Sequence, residues 1–503
     1  MRKWLPLAAV CLGTFMLLID VTIVNVALPS MARNLHTSFA SLQWVVDGYA
    51  LALAALMLGI GSVADLLGHR RAYLAGLVVF ALASLICGFA PNSGVLIAAR
   101  VVQGIGAAGI FAANNALLNS SYQGRDRGTA YGMWGAVVGA SAAVGPIIGG
   151  VLTQALSWRW IFFVNLPVSV LAIVLTLRAF SGDRPDRDQR VDLPGMALFT
   201  VATGTLTYAL IRANDEGWTT LSTYSLVLLS VAAFIAFFVV ESRSSYSMLD
   251  LGLLRRPAFV GILIASLLVN FAAFASFTYT AIWLQSVIGL GPIQAGLTGL
   301  PLSVAAFAVS AVIGRHLHAR APGPIIGTGM ILIGLGALIN AAMIDRNSSW
   351  PALILGFAIT GLGVGLATPT LNSSGMAAVP VHRGGMAGGA VNTVRQLGFA
   401  IGIAVLGTIF ATKSAQVIAD SGTANSNGVA HGLASGQAQG LLARAGAGRG
   451  HLNDTLHAAA ASGLDLVFLV AGTGGLVGGV LVFLLVRPVR EAAPVARPVA
   501  EAV

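Results

Sequence analysis

Carboxylates and guanidinium groups set inside apolar stretches carry most of the chemistry open to this chain. Asp20 lies in Leu18-Ile19-Asp20-Val21, Asp47 in Val45-Val46-Asp47-Gly48, Arg100 in Ala99-Arg100-Val101, and Arg395 in Val394-Arg395-Gln396. An ionisable group in an apolar helix is costly and marks a proton relay or substrate path by default. Burial and a neighbouring guanidinium act on a carboxylate in opposite senses. Two acids sharing one arginine can therefore divide the work, one staying ionised while the other exchanges protons. The alternative is a permanent Asp20–Arg100 ion pair that only holds helices together. Other chemistries lack their residues. The apolar runs contain no histidine, and no paired carboxylates or cysteine spacing suggest a metal site. No G-x-x-x-x-G-K-[ST] loop for nucleotide phosphates is present. No cofactor and no metal are expected, and the expectation is a protein that is not an enzyme.

The elements that must position these residues are membrane spans. Of 503 residues 56% are hydrophobic and 9% charged, with mean hydropathy +0.85, whereas a soluble surface needs roughly a quarter charged. The 61 glycines suit close helix packing in lipid. Crossing the hydrocarbon core takes about 20 apolar residues. Fourteen stretches qualify: 5–28, 43–63, 73–91, 95–118, 130–152, 161–179, 194–211, 222–241, 258–283, 295–313, 325–344, 352–374, 388–411 and 463–486. The start, Met1-Arg2-Lys3, reads as the flank of the first span rather than of a cleaved signal, because Asp20 interrupts the would-be signal core. Cys11 and Cys87 lie within spans and are expected to be unpaired.

With the N-terminus inside, 19 of the 28 Lys and Arg fall on the cytoplasmic side, as the positive-inside rule requires. The net charge of +10 is thus an orientation signal, and no nucleic-acid partner is expected. Both termini are predicted to be cytoplasmic, in a multi-pass protein of the bacterial inner membrane surrounded by lipid. The stretch 412–462, rich in Gly, Ala and Ser, reads as a long, flexible external loop, and the tail 488–503 as disordered. In this orientation Asp20 lies about eight residues short of the outer end of its span, and Asp47 and Arg100 each about five. At 1.5 Å per residue the three depths agree to roughly a turn.

The two halves repeat. Gly104, Gly106 and Asn115 match Gly361, Gly363 and Asn372 at an offset of 257, Arg127-Gly128 matches Arg383-Gly384 at 256, and Gly61 matches Gly314 at 253. A duplicated six-span unit with spans 7 and 8 inserted as a hairpin explains the pattern: 1–180, 181–257 and 258–487 as three units. Parallel repeats place a site near the midplane between the halves.

Several motifs resemble those of the major facilitator superfamily, and within it the fourteen-span drug:proton antiporters. Gly61-Ser62-Val63-Ala64-Asp65-Leu66-Leu67-Gly68-His69-Arg70-Arg71 is similar to the G-x-x-x-D-x-x-G-R-R/K loop, with His69 where Arg is usual. Arg100-Val101-Val102-Gln103-Gly104 matches R-x-x-Q-G. Gly145-Pro146-Ile147-Ile148-Gly149-Gly150 matches the G-P-x-x-G-G element of exporters, with Ser141 in place of a further Gly. The stretches from Leu18 to Pro29 and from Trp158 to Pro167, with Leu284-Gln285, Gln294-Ala295-Gly296 and Arg395-Gln396-Leu397-Gly398, resemble the fourteen-span branch. Asp47 in its setting points to quaternary-ammonium and dye exporters, although 295–313 lacks the further acid some of them carry. The preference for Arg over Lys extends the likeness to antibiotic self-resistance exporters of actinomycetes, such as the puromycin exporters.

The resemblance implies an all-α polytopic fold of two six-helix bundles plus a two-helix insertion, exporting lipophilic, often cationic, drugs in exchange for protons. It implies proton coupling at Asp20, Asp47 and Arg100, and a gating latch of Gly61, Asp65, Gly68, Arg70 and Arg71. In the latch Asp65 docks on a helix N-terminus of the other half, where a carboxylate is favoured. Gly145, Pro146, Gly149 and Gly150 form the antiporter helix. Asn25, Asn114, Asn115, Trp134, Asn270, Phe274, Tyr279, Trp283, Asn372 and Arg395 are substrate-binding candidates in a monomeric transporter. Rival readings are an exporter of a lipid or secondary metabolite, a proton symporter for uptake, and a polytopic membrane enzyme.

Overall fold

Long apolar runs have one stable solution in lipid, helices that satisfy their own backbone groups, and the chain adopts it. The computed structural model describes every residue except 1, 36, 38, 181–191, 217, 219, 245–248, 317–320, 380–383, 446, 447 and 487–503, and the side chains of Asn25 and Pro146 also lie outside the description. The expected tail 488–503 falls outside it as well. Among the described residues there is no strand.

Fourteen long helices follow in order: α1 (Leu5–Leu35), α2 (Phe39–Leu67), α3 (His69–Phe89), α4 (Ser93–Ser121), α5 (Gly124–Ala155), α6 (Trp160–Ala179), α7 (Leu193–Glu216), α8 (Leu221–Arg243), α9 (Pro257–Val287), α10 (Leu300–His316), α11 (Pro322–Met343), α12 (Ile354–Ala377), α13 (Gly384–Asp420) and α14 (Arg449–Leu485). Among the described residues thirteen segments are long and apolar enough to cross a membrane. Together with α5, which is 32 residues long, they match the fourteen expected. Large apolar side chains such as Leu82, Phe89, Ile235, Val304 and Leu484 point outward, as a lipid-facing surface requires.

One apolar cluster gathers residues of α1–α6 and a second gathers α9–α14. The α7–α8 hairpin has its own cluster, in which Phe199 and Phe237 meet Leu58 and Met386. The repeat is visible in the packing. A Cβ on Gly76 of α3 would lie 2.8 Å from the Gly106 carbonyl of α4, and a Cβ on Gly329 of α11 would lie 2.8 Å from the Gly363 carbonyl of α12. Equivalent helix pairs thus touch backbone to backbone through equivalent glycines, an approach any side chain would prevent.

The stretch 412–462 corrects the expectation of a flexible loop. Helix α13 continues to Asp420, short helices cover Ser426–Ala434 and Ala438–Arg444, and α14 begins at Arg449. Alanine favours helix, and Ala430, Leu433, Ala438, Leu442 and Leu456 are buried against the second bundle. Gly422 and Gly436 sit at left-handed turns between the helices, with φ of 77° and 75°.

Candidate functional site

The site begins with one residue from each of four helices of the first bundle, Asp20 of α1, Ser84 of α3, Gln103 of α4 and Asn165 of α6, joined by Arg100 of α4. Asp20 is fully buried, and Arg100 is 1% exposed. Arg100 donates to Asp20 Oδ2 at 2.5 Å, while Gln103 and Asn165 donate to Asp20 Oδ1 at 3.1 and 2.9 Å. Arg100 also donates to the Val45 carbonyl at 2.9 Å and to Gln103 Oε1 at 2.8 Å, and its guanidinium lies 4.3 Å from the Tyr49 ring centroid. Ser84 Oγ accepts from Gln103 at 2.7 Å and from Asn165 at 3.4 Å. A carboxylate sealed from water here has a guanidinium on one oxygen and two amide donors on the other. Buried charge is tolerated only when paired and hydrogen-bonded in this way.

The structure brings Asp20 and Arg100 together. Asp47, two residues beyond Val45 on α2, is partly exposed, a different setting from that of sealed Asp20. Gln103 and Asn165 belonged to sequence motifs but carried no assigned role. An amide mid-span is the signal that could have found them, since it must meet a partner when buried.

The G-P-x-x-G-G run explains how α1 comes so close to α5. A Cβ on Gly145 would collide with Thr22 Oγ1, and one on Gly149 would sit 2.8 Å from Ile23. Both neighbours lie within a turn of Asp20, so the glycines of α5 set the height and approach of the helix bearing the carboxylate. Gly150 faces Ile293, just ahead of α10, so the same helix borders the second bundle.

Besides the α5–α10 face, the bundles are joined by polar contacts at the Asp65 end. Asp65 Oδ2 accepts the backbone N–H of Met386, in the first turn of α13, at 2.8 Å, and Asp65 Oδ1 lies 3.4 Å from His69 Nε2. Gly68, with φ of 99°, makes the turn between α2 and α3. Gly61 is buried on α2, Arg70 is partly buried and Arg71 is exposed. One layer inward, Asn115 donates to Asn372 Oδ1 at 3.0 Å. The two residues related by the repeat thus bond to each other across its axis. Arg127 donates to the Ser373 carbonyl at 3.4 Å and Asn392 to the Phe111 carbonyl at 3.5 Å.

The substrate candidates divide by environment. Trp134 and Asn114 are buried and both donate to Thr14 Oγ1 at 2.9 Å. Tyr279 is buried with its hydroxyl on the Ile403 carbonyl at 2.6 Å, and Trp283 is 1% exposed. Asn270 is 9% exposed and opens a π-helical turn, Asn270–Ala275, within α9, a feature common at functional sites. Phe274 on that turn and Arg395 on α13 are partly exposed. Among the described residues no group of three or more His, Cys, Asp and Glu is placed to hold a metal ion.

Two pseudo-equivalent bundles, an ion pair buried among spanning helices and a polar seam between the bundles fit a membrane transport protein. Residues 10–403 match the family model described as Major Facilitator Superfamily, and the chain belongs to that family. It is 38% identical over 411 residues to the multidrug resistance protein Stp of Mycobacterium tuberculosis, covering 81% of this chain and 76% of that protein. It is 35% identical to the puromycin resistance protein pur8 of Streptomyces alboniger, over 86% of this chain and 87% of the relative. The tetracenomycin C resistance and export protein of Streptomyces glaucescens is 32% identical over 95% of this chain and 90% of its own. The crystal structure of the human organic anion transporter MFSD10 (TETRAN) superposes with a TM-score of 0.60 at 14% identity, covering 95% of this chain and 99% of that one. That likeness is one of fold alone.

Proposed function

We propose that this protein exports lipophilic drugs or antibiotics across the cytoplasmic membrane in exchange for protons, by alternating access of a central site. The observation that carries the reading is Asp20, fully buried with Arg100, Gln103 and Asn165 as donors. A carboxylate so placed can gain a proton only if that shell loosens, which ties its protonation to the movement of α1 against α4 and α6. The relatives, resistance and export proteins by name, support the direction and the substrate class. The bundle contacts at the Asp65 end fit a state closed to the cytoplasm, with Asp65 on the first turn of α13 as latch. In this reading both termini are cytoplasmic, 1–180 and 258–487 are the rocking halves, 181–257 is the insertion, and the transporter works as a monomer.

The test is efflux from a pump-deficient bacterial host expressing the protein, with ATP maintained. At about 150 mV one proton supplies roughly 3–4 kcal/mol, which sustains a gradient of several hundred-fold. A protonophore should therefore abolish efflux. Efflux that persists in its presence refutes proton coupling.

A further inference from the structure

Arg395 of α13 brings a positive charge to the seam between the bundles, away from the Asp65 end. On α13, a Cβ at Gly388 would lie 3.4 Å from Asn115 Cβ, and Asn392 donates to the Phe111 carbonyl, so these positions meet α4 of the first bundle. A Cβ at Gly398 would collide with the Leu267 carbonyl, and one at Gly402 would lie 3.2 Å from Phe271 Cα, so those positions meet α9. Arg395 falls between the two sets, where the first bundle adjoins the second. It stands about 17 Å along α13 from its start, inside the apolar span Met386–Asp420.

Arg395 is partly exposed there. Its guanidinium carries five N–H donors, and the hydrogen bond the structure shows goes to Asn392 Oδ1. None of its nitrogens is among the fully buried polar atoms lacking a partner, so its remaining donors keep some exposure. Among the described residues no carboxylate pairs with it. From 258 to 411 the sequence has a single acid, Asp345, in the turn after α11. Asp20 cannot serve, because it is sealed and neutralised by Arg100. Asp47 lies higher. Gly389 packs on Leu58, and counting outward from that contact places Arg395 about 9 Å up and Asp47 about 16 Å up.

A partly exposed guanidinium within a span, at a bundle seam and with no carboxylate partner among the described residues, is the complement of an anion. Phe271 and Phe274, partly exposed on the adjoining π-helical turn of α9, add apolar aromatic surface. We infer that Arg395 is a substrate-recognising residue and that the preferred substrates are amphipathic aromatic anions: carboxylic acids, phenolates or enolised dicarbonyls that a guanidinium holds by charge-assisted hydrogen bonds. This replaces the expectation of often cationic drugs with one of anionic ones, and it rests on the export reading above.

The experiment is equilibrium binding to the full-length protein in detergent, by fluorescence anisotropy. The probes are fluorescein, an anion, and rhodamine 123, a cation on the same xanthene frame. Wild type should bind fluorescein about tenfold or more tightly than rhodamine 123, the size of one charge-assisted contact. Arg395→Gln should erase that preference by weakening fluorescein, while Arg395→Lys should keep most of it. Wild type that binds both dyes equally or prefers rhodamine 123 overturns the inference, as does an Arg395→Gln protein that loses both alike. If Arg395→Gln does not fold, the wild-type ratio decides alone. No proton gradient enters the measurement, so failure of proton coupling would leave its result untouched, and loss of anion preference would leave export standing.

Discussion

Replacing Asp20 by Asn keeps the shape of the side chain and removes its charge, so it separates what Asp20 does for folding from what it does for coupling. Removing one partner of a buried ion pair costs about 3–5 kcal/mol, because the other is left uncompensated. Here Arg100 keeps the Val45 carbonyl, Gln103 Oε1 and the face of Tyr49, and the amide oxygen of the substituted side chain can still accept one N–H. The loss should therefore fall at the low end, about 3 kcal/mol. Adding Arg100→Gln removes the stranded cation, and the double variant should recover at least half of the lost stability. Coupling should not recover, since no carboxylate remains at position 20. Denaturation of the detergent-purified proteins measures the first quantity, and proton release on adding substrate measures the second. A double variant no more stable than Asp20→Asn alone would show that the pair is not the unit of stability. Proton release from Asp20→Asn equal to wild type would place coupling elsewhere, with Asp47 the next candidate.

Asp65→Asn leaves the hydrogen bond to Met386 available but removes a negative charge at the start of α13, worth about 0.3–1 kcal/mol. Substrate affinity should stay within about fivefold while transport falls; collapse of affinity would instead assign Asp65 to the binding site or the fold. Gly145→Ala forces a methyl into Thr22 Oγ1, an overpacking of about 1–3 kcal/mol beside Asp20. Transport should drop and be partly restored by adding Thr22→Ala, and a second change that restores nothing would refute the account of how α5 positions α1.

What the sequence determined alone follows from chemistry that is local or additive. Helices of spanning length, their number and the repeat offset are written in hydropathy and glycine spacing, because lipid leaves the backbone no alternative to satisfying itself within each segment. Depth along a helix is also local, so counting residues from span ends placed Asp20 and Arg100 at one level, and the structure joins them at 2.5 Å. Azimuth is not local: the same count put Asp47 with them, yet only packing decides which way a helix face turns, and Asp47 is partly exposed. Tertiary structure alone revealed the amides of Gln103 and Asn165 on Asp20, which arrive from separate helices, and the Asn115–Asn372 bond across the repeat axis. It also turned the Ala-rich 412–462 stretch into packed helix, because a low density of large apolar residues suffices once a bundle offers a surface to cover. Trp134, Tyr279 and Trp283 show the converse. A large aromatic ring in a span fits a binding wall and a packed interior equally well, and only its neighbours in three dimensions tell the two apart.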